Sequence, residues 1–342
     1  MSALLEVLSC GPAVTVQDMG REGFLAQGLT RGGAADITAL HEGAALLGQS
    51  TQLAALEMVG MGGSFRATAD IRIALTGAPM AATLDDEPLT WNASHLMPAG
   101  ATLKIGGARN GTYGYLHIGG GVDIPLMMGA RSAHLSAGLG EALSAGSSLP
   151  LGKDKGNGTG MTLPVENRFE GGCIRVTTSM QTDLFDAETQ ARFSSTAFRR
   201  DARGNRMGVR MDHDGAPFTA AGQLTILSDV IVTGDIQITG DGAPFVLMCE
   251  SQTTGGYPRI GTVLPSDLAR VAQAPTGAAL SFAFVDLEEA RKIEQRAMTA
   301  RAALGGSVTP LVRDPHDIRD LLSYQLISGA VSATSNPITS EE

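Results

Sequence analysis

The apolar stretches of this chain are short, and turn-forming residues interrupt them throughout its 342 residues, of which 44 are glycine. Short apolar runs between such residues are typical of strands rather than helices. In the run 112–118, Tyr113, Tyr115 and His117 share one face and Leu116 and Ile118 the other, which predicts a half-buried strand. Further strands of the first half are predicted at 4–8, 13–16, 53–59, 71–75 and 101–105.

The second half has the same character, with a few helices between its strands. Strands are predicted there at 173–177, 223–227, 230–232, 245–250, 260–264 and 279–284, and helices at 182–191 and 266–272. The first half has one predicted helix, at 37–47. Asp36 is placed to cap the first amides of the first helix, and Gly48 follows its end. The sequence predicts a mainly β fold with a few helices (α+β), built as two barrel-like domains with a helical tail.

The length of the chain exceeds the usual size of a single hydrophobic core, so two domains are expected. The polar, glycine-rich segment 152–160 has the composition of a flexible connector. We therefore predict a β-rich domain at 1–160, a barrel at 161–285 and a helical tail at 286–342. One tail helix begins at Asp286, and a second is predicted to begin at Asp314. This tail packs on its own barrel or meets a partner.

Composition excludes several classes of function. A net charge of −10 with four lysines argues against nucleic-acid binding, which needs clustered cations. No apolar run approaches the ~20 residues of a membrane helix. The six histidines and three cysteines have no metal-ligand spacing, so no metal is expected. The widely spaced cysteines favour the reducing cytoplasm.

A polar motif follows the apolar run 245–250. It reads Gln-Thr-Thr-Gly-Gly-Tyr-Pro at 252–258. Its side chains can donate hydrogen bonds where glycine lets the backbone approach a ligand, so it predicts a binding edge. The alternative is a tight turn whose threonines and glycines only satisfy backbone geometry.

Other motifs occur with it in a fixed order. They are Thr-Val-Gln-Asp-Met-Gly-Arg at 15–21, Arg-Gly-Gly-Ala-Ala-Asp at 31–36, Leu-Thr-Gly-Ala at 75–78, Ile-Gly-Gly-Ala-Arg-Asn-Gly at 105–111, Gly-Gly-Gly-Val-Asp-Ile-Pro at 119–125, Gly-Ala-Arg-Ser at 129–132 and Arg-Met-Gly at 206–208. Together these motifs resemble the C subunits of bacterial 5-oxoprolinase over roughly residues 4 to 290. The family is also called allophanate hydrolase subunit 2, KipA-like or biotin-dependent carboxyltransferase. The resemblance implies a cyclophilin-like fold for the second barrel.

The resemblance also implies an activity shared with partners. Proteins of this family act with a homologous B subunit (KipI-like) and a separate A subunit (LamB/YcsF-like) to open 5-oxoproline to glutamate using ATP. Related domains of urea carboxylase instead transfer a carboxyl group from carboxybiotin, and KipA-like proteins regulate without catalysis. The chain lacks a phosphate-binding loop, so it would not hold ATP by that device, and the location of the nucleotide stays open. It also lacks a lysine between methionines, so any biotin would arrive on another protein.

The candidate site residues follow from these motifs. Those expected to be catalytic are Asp18, Arg21 and Arg206. Those expected to bind a small amide are Gln17, Gln252, Thr253, Thr254, Gly255 and Tyr257. Amide and guanidinium groups suit a planar amide or carboxylate ligand, and the two groups of residues are expected to converge across the two domains. Asp18 and Glu250 are either bases or anchors for the arginines.

Two segments depart from the family pattern. Residues 204–209 read Gly-Asn-Arg-Met-Gly-Val where relatives have Ser-Asp-Arg-Met-Gly-Tyr, so Asn205 replaces a carboxylate beside Arg206. Residues 228–234 lack the Gly and Pro of Ser-Glu-Gly-Val-Val-Pro-Gly, which changes the backbone freedom of that loop. These changes leave open which amide is the substrate and whether this chain is catalytic.

Overall fold

The first half of the protein is a sandwich of two open sheets. The computed structural model describes residues 3–221 and 227–312. The strands of the first half are β1 (Leu4–Cys10), β2 (Val14–Gln17), β3 (Ala55–Val59), β4 (Gly63–Ala67), β5 (Ile71–Gly77), β6 (Met80–Leu84), β7 (Glu87–Pro88), β8 (Ala93–Met97), β9 (Thr102–Ala108), β10 (Tyr113–Ile118), β11 (Ser148–Pro150) and β12 (Met161–Thr162). One sheet has the order β11-β1-β4-β9-β6-β7, and β2-β3-β10-β5-β8-β12 forms most of the other.

The core of this sandwich is aliphatic. Leu5, Phe65 and Leu103 of the first sheet pack against Leu56 and Leu116 of the second, all fully buried. Burial of such side chains contributes roughly 1.5–3 kcal/mol each. The first half, predicted to be barrel-like, is therefore held together by two sheets packed face to face.

Strand β10 is buried on both faces, so the prediction of a half-buried strand is wrong. Leu116 faces the core of the sandwich, whereas Tyr113 and Tyr115 pack into the core that reaches the second half. His117 lies beneath helix α1 (Ile37–Leu47), against Gly43. The alternating pattern identified the strand, but the cover on its second face comes from distant segments.

Helix α1 begins and ends as the sequence predicts. The Asp36 carboxylate accepts a hydrogen bond from the amide of Ala39, and Gly48 has φ +59° at the other end. An aspartate cap and a left-handed glycine are local signals that fix a helix without distant contacts. This helix covers β5 and β10, where Thr76 donates a hydrogen bond to the carbonyl of Ala39.

The second half contains a closed barrel of seven strands. The strands of this half, up to residue 284, are β13 (Gly172–Thr177), β14 (Phe198–Gly204), β15 (Gly208–His213), β16 (Asp229–Val230), β17 (Asp235–Ile238), β18 (Pro244–Leu247), β19 (Thr254–Gly255), β20 (Arg259–Val263) and β21 (Ala279–Phe284). The barrel order is β13-β20-β17-β18-β15-β14-β21, with β13 and β21 parallel. Outside it, β16 pairs with β19. The predicted strand at 223–227 lies mostly outside the described residues.

A group of phenylalanines fills the barrel. Phe193 of helix α2 (Ala187–Ser195) stacks on Phe282 with 4.9 Å between ring centroids, and Phe198 and Phe218 complete the group. Helix α2 starts later than predicted, because Asp186 caps it and a 3₁₀ turn at Thr182–Leu184 precedes it. The helix predicted at 266–272 is α3 (Leu268–Gln273). The mainly β fold with few helices is confirmed.

Two segments tie the halves together. The connector 152–160 is anchored by Arg72, which pairs with Asp154 at 2.6 Å and donates to the carbonyl of Gly158. Nearby, the buried Arg168 pairs with Asp36 and Glu42, both at 2.7 Å. The N-terminus of α1 is therefore joined directly to the strand-free segment that leads into the barrel.

The tail begins with helix α4 (Leu287–Ala303), capped by Asp286. Ala290 and Ile293 pack against Leu264 of the protein's own second half. The chain then forms β22 (Thr309–Pro310), which pairs with β12 and becomes the seventh strand of the second sheet. The helix predicted to begin at Asp314 lies outside the described residues.

Candidate functional site

The two segments that the sequence singled out lie in contact. The amide of Gly32 donates to the carbonyl of Cys249 at 3.0 Å, and the Thr30 hydroxyl donates to the carbonyl of Ser251 at 3.0 Å. Residues 18–33 of the first half thus form the N-terminal turn, which packs on the barrel segment just before the Gln252 motif. The N-terminal turn therefore contacts the residues that directly precede the Gln252 motif, while the shared ligand site stays a prediction.

Arg206 is the buried hub of this contact. Its Nε donates to Glu250 at 2.6 Å and its Nη2 to the carbonyl of Gly33 at 2.6 Å, while its Nη1 donates to Glu57. Burial opposes the charged form, but Cys249, Glu57 and Glu250 together raise the pKa of Arg206 well above its ordinary value. All three of its nitrogen atoms donate to protein acceptors, so Arg206 holds the halves together.

Arg21 is also buried, but part of its guanidinium lacks a partner. Its Nε donates to the carbonyl of Met127 at 3.4 Å and its Nη2 to that of Ser132. Its Nη1 is buried without a hydrogen-bond acceptor among the described residues. Burial lowers the pKa of Arg21, and Asp18 and Glu250 oppose that shift. The unused donor is a candidate ligand contact, because an unpaired buried guanidinium nitrogen is costly to keep.

Asp18, the first residue of the N-terminal turn, and Gln17, which precedes it, are both buried. The Asp18 carboxylate accepts hydrogen bonds from the amides of Gly20, at 2.9 Å, and Arg131, at 2.6 Å. The Gln17 amide donates to Thr15 and to the carbonyl of Ala133, and its side chain is fully buried. The hydrogen bonds of both side chains therefore go to the protein itself and support the N-terminal turn.

A histidine that the sequence reasoning did not select lies beside Arg21. His134 Nε2 is 2.9 Å from the Thr30 hydroxyl, and His134 Nδ1 is 3.1 Å from the Ser136 hydroxyl. Because the single proton of Thr30 goes to Ser251, His134 donates through Nε2 and accepts at Nδ1. Burial lowers the pKa of His134, and nearby Glu250 opposes this. The neutral imidazole therefore orients Ser136 and Thr30.

A cleft opens between the N-terminal turn and the barrel, with a volume of about 380 Å³. This central cleft is lined by side chains that include Arg21, Phe24, Leu29, Arg31, Val232 and Leu268. The guanidinium of Arg31 has no hydrogen bond or ion pair with any described residue. The cleft thus combines apolar walls with donors from two arginines and the carboxylate of Glu22, a composition that suits a small-molecule site.

The Gln252 motif borders the cleft but does not line it. Gln252, Thr254 and Tyr257 are exposed, and Tyr257 retains 47% of its accessible surface. Strand β19 pairs with β16, and the carbonyl of Thr253 accepts from Ile231. A Cβ atom added at Gly28 would lie 4.0 Å from the Thr253 hydroxyl, so the motif forms a polar rim beside the N-terminal turn.

Sequence reasoning missed Glu57, His134 and Arg31 as members of this site. Glu57 lies in an apolar strand pattern, and only its fully buried position beside Arg206 and Tyr115 shows its role. Within 3–221 and 227–312, no group of three or more His, Cys, Asp or Glu side chains is arranged to hold a metal. In the same part of the chain, no helix is long and apolar enough to cross a membrane.

Comparisons with known proteins agree with this architecture. Residues 27–284 match the model of the family described as carboxyltransferase domain, subdomain A and B. The C subunit of 5-oxoprolinase from Escherichia coli is 34% identical over 297 residues, covering 85% of this chain and 94% of that protein. The protein of the same name from Haemophilus influenzae is 31% identical over 298 residues, covering 86% of this chain and 95% of that protein.

Two solved structures share the fold. The Kluyveromyces lactis urea amidolyase superposes with a TM-score of 0.79 at 23% identity, covering 92% of this chain and 21% of that one. The urea carboxylase of the same yeast gives a TM-score of 0.80 at 23% identity, covering 92% and 31%. This chain therefore spans only a small part of those enzymes. From its matched residues and its likeness to both bacterial 5-oxoprolinase proteins, the chain belongs to the carboxyltransferase-domain family, subdomains A and B.

Proposed function

We propose that the chain is the C subunit of an ATP-dependent 5-oxoprolinase and that the central cleft holds the lactam. The two bacterial relatives that carry this name match over nearly their whole length. The observation that carries the proposal is the buried Nη1 of Arg21, which has no acceptor among the described residues and belongs to a side chain of the cleft wall. A lactam carbonyl oxygen supplies the missing acceptor.

In this proposal the predicted site residues have three kinds of role. Arg21 and Arg31 contact the ligand, since both line the cleft. Nη1 of Arg21 has no acceptor among the described residues, and the guanidinium of Arg31 has no hydrogen bond or ion pair with one. Arg206, Asp18 and Gln17 are positioning residues, because their hydrogen bonds go to the protein. The rim residues close over the ring; they are Gln252, Thr253, Thr254, Gly255 and Tyr257.

The reaction requires help that this chain does not supply. An unactivated lactam resists hydrolysis, whereas phosphorylation of its carbonyl oxygen makes the carbon electrophilic and the ring nitrogen a better leaving group. A guanidinium beside that oxygen stabilises the charge that develops on it. We propose that ATP and the attacking water are handled in the complete complex, which adds a LamB/YcsF-like A subunit, together with a homologous KipI-like B subunit.

The test is reconstitution. The chain is combined with the A and B subunits, ATP and 5-oxoproline, and glutamate release is followed. We expect ATP-dependent glutamate, and an Arg21→Gln variant is expected to lower kcat/KM about 10–100-fold, the effect of losing a charge-assisted hydrogen bond. The exposed variant Arg291→Gln is the control. No glutamate above background from the complete complex overturns the proposal.

A second candidate is a carboxyltransferase component that works with a biotin-bearing partner. The description of the family model and the urea amidolyase relatives from yeast favour it. Carboxylation of urea by this chain with a carboxybiotin protein, and without ring opening, supports this candidate instead. Tight binding to the KipI-like partner with neither activity indicates a KipA-like regulator.

We further propose that the protein works in the cytoplasm. Cys10, Cys173 and Cys249 are free thiols, as the reducing cytoplasm favours. Fractionation of cells, followed by detection of the chain, tests this location.

A further inference from the structure

A second pocket adjoins the central cleft, between helices α1 and α4. Its volume is about 240 Å³. We call it the α1–α4 pocket, and its polar lining comprises Arg31, Thr38, His41, Thr233, Cys249 and Arg301. Arg31, Thr233 and Cys249 line the central cleft as well, so a ligand in the cleft can extend into this pocket.

The charged side chains that line the α1–α4 pocket, Arg31 and Arg301, are both positive. No aspartate or glutamate lines it in the described part of the chain, although the whole protein has a net charge of −10. Neither Arg31 nor Arg301 forms a side-chain hydrogen bond or ion pair with a described residue. By contrast, Arg168, which lines a neighbouring pocket that shares Thr38 and Arg301, is fully paired with two carboxylates. Two unpaired guanidinium groups in one concave site suit an anion.

Arg301 lies beyond the residues that match the family model. The match to the family ends at residue 284, whereas α4 runs from Leu287 to Ala303. The helix is fixed in place by the packing of Ala290 and Ile293. The second cation of the pocket is therefore supplied by the helical tail, outside the matched residues.

We propose that the α1–α4 pocket binds the oxyanion of a ligand, a carboxylate or a phosphate, whose remaining part lies in the central cleft. The inference rests on the proposed function, because it assigns the substrate of that same site. A lactam that bears a carboxylate, such as 5-oxoproline, satisfies both the cleft and the pocket. Urea has no anionic group and leaves the two arginines unpaired.

The test compares ligands that differ only in charge. Binding of 5-oxoproline, of its neutral analogue 2-pyrrolidinone and of inorganic phosphate to the purified full chain is measured by calorimetry. We expect 5-oxoproline to bind at least about tenfold more tightly than 2-pyrrolidinone, and Arg301→Gln to remove that difference, as loss of one charge-assisted contact implies. Arg291→Gln is the matched control, since Arg291 lies exposed on the same helix and pairs with Glu288.

The ligands also separate the two sources of the oxyanion. Competition between phosphate and 5-oxoproline supports a carboxylate in the pocket, whereas Arg301-dependent binding of phosphate alone assigns it to a phosphate. The proposal is overturned if neither anion binds at about 10 mM, or if Arg301→Gln and Arg291→Gln behave alike. Circular dichroism confirms that each variant is folded, and Arg301→Lys is expected to retain part of the anion affinity.

The outcomes separate this inference from the proposed function. If phosphate binding depends on Arg301 but the complete complex releases no glutamate, the anion site in the α1–α4 pocket is supported and the 5-oxoprolinase role is contradicted. If Arg301→Gln leaves glutamate formation unchanged and no anion binds selectively, the 5-oxoprolinase role is supported and the anion site in the α1–α4 pocket is contradicted.

Discussion

The guanidinium of Arg206, in the turn between two barrel strands, is hydrogen-bonded to the carboxylate of Glu57 in β3, across 149 positions of sequence. The other oxygen of Glu57 accepts hydrogen bonds from the Tyr115 hydroxyl at 2.6 Å and the amide of Ala35 at 2.8 Å. Glu250 is a second carboxylate that pairs with Arg206. One buried ionic cluster therefore fixes the barrel, the sandwich and the N-terminal turn relative to each other.

Removal of the Glu57 charge is expected to destabilise the whole protein. In the variant Glu57→Gln one acceptor oxygen becomes an amide nitrogen, so either Arg206 or the pair of donors Tyr115 and Ala35 loses a buried acceptor, which costs about 1–3 kcal/mol. Urea unfolding measures the change. The exposed pair of Glu288 and Arg291 is the control, because Glu288→Gln is expected to cost less than about 1 kcal/mol. Similar losses in the two variants contradict the role of the cluster.

Alanine at Gly43 is expected to destabilise the protein, although it favours helices in general. In an exposed helix, Gly→Ala stabilises by about 1 kcal/mol. Here the added Cβ would lie 2.2 Å from Cδ2 of His117, so the ring must move in a closely packed core. Thermal unfolding of Gly43→Ala tests this. Gly240→Ala, where no atom lies within 4 Å of the new Cβ, is expected to leave the midpoint nearly unchanged.

His117 is expected to contribute to acid unfolding. Burial lowers the pKa of His117 to about 3, whereas in the unfolded chain it is near 6.5. The unfolded state therefore binds more protons between these values, and this histidine makes stability fall by about 1.4 kcal/mol per pH unit as the pH decreases from 6.5 towards 3. Urea unfolding across this range is expected to show a shallower pH dependence for His117→Gln than for the wild type.

Anion binding in the α1–α4 pocket is expected to strengthen at low pH. Burial lowers the pKa of His41, and the positive charge of Arg301 lowers it further, so its ring is neutral at pH 7. Arg31, Arg301 and Cys249 are the other titratable groups that line the pocket. Protonation of His41 adds a positive charge there, and the affinity for 5-oxoproline rises as the pH falls through the pKa of His41. Calorimetry from pH 8 to pH 5 measures this, and a flat profile contradicts it.

The rim is expected to affect catalysis without affecting stability. Gln252 is exposed and makes no hydrogen bond with a described residue, so Gln252→Ala is expected to leave the urea midpoint unchanged. Loss of a contact with the lactam lowers kcat/KM about tenfold in the reconstituted complex. The exposed Gln295 on α4 is the control position. Unchanged activity in Gln252→Ala excludes this residue from the substrate site.

The sequence predicted elements whose signals are local. Helix α1 has the predicted bounds because Asp36 and Gly48 act on adjacent backbone. Helix α2 was placed too early because Thr182 opens a separate turn, where its hydroxyl donates to the carbonyl of Ile260. That contact spans 78 positions, and periodicity carries no information about it.

The candidate site was predicted only in part for the same reason. The motifs identified Arg21, Arg206 and the Gln252 segment. The structure places Arg21 in the cleft wall, Arg206 in the contact between the halves and the Gln252 segment at the rim. The roles of Glu57 and His134 depend on partners supplied by other elements, such as Thr30 for His134. A buried carboxylate in an apolar strand was the one available signal for Glu57, since such a group needs a partner.

The pairing of β22 with β12 makes the barrel an insertion in the second sheet. The chain leaves that sheet after Thr162 and re-enters it at Thr309, directly opposite. The chain therefore connects the barrel to the second sheet twice, once after Thr162 and once before Thr309. These two crossings restrain the barrel more than a single connection at its start would. A hinge-like swing of one half away from the other would have to bend both crossings at once, which opposes a wide opening of the central cleft.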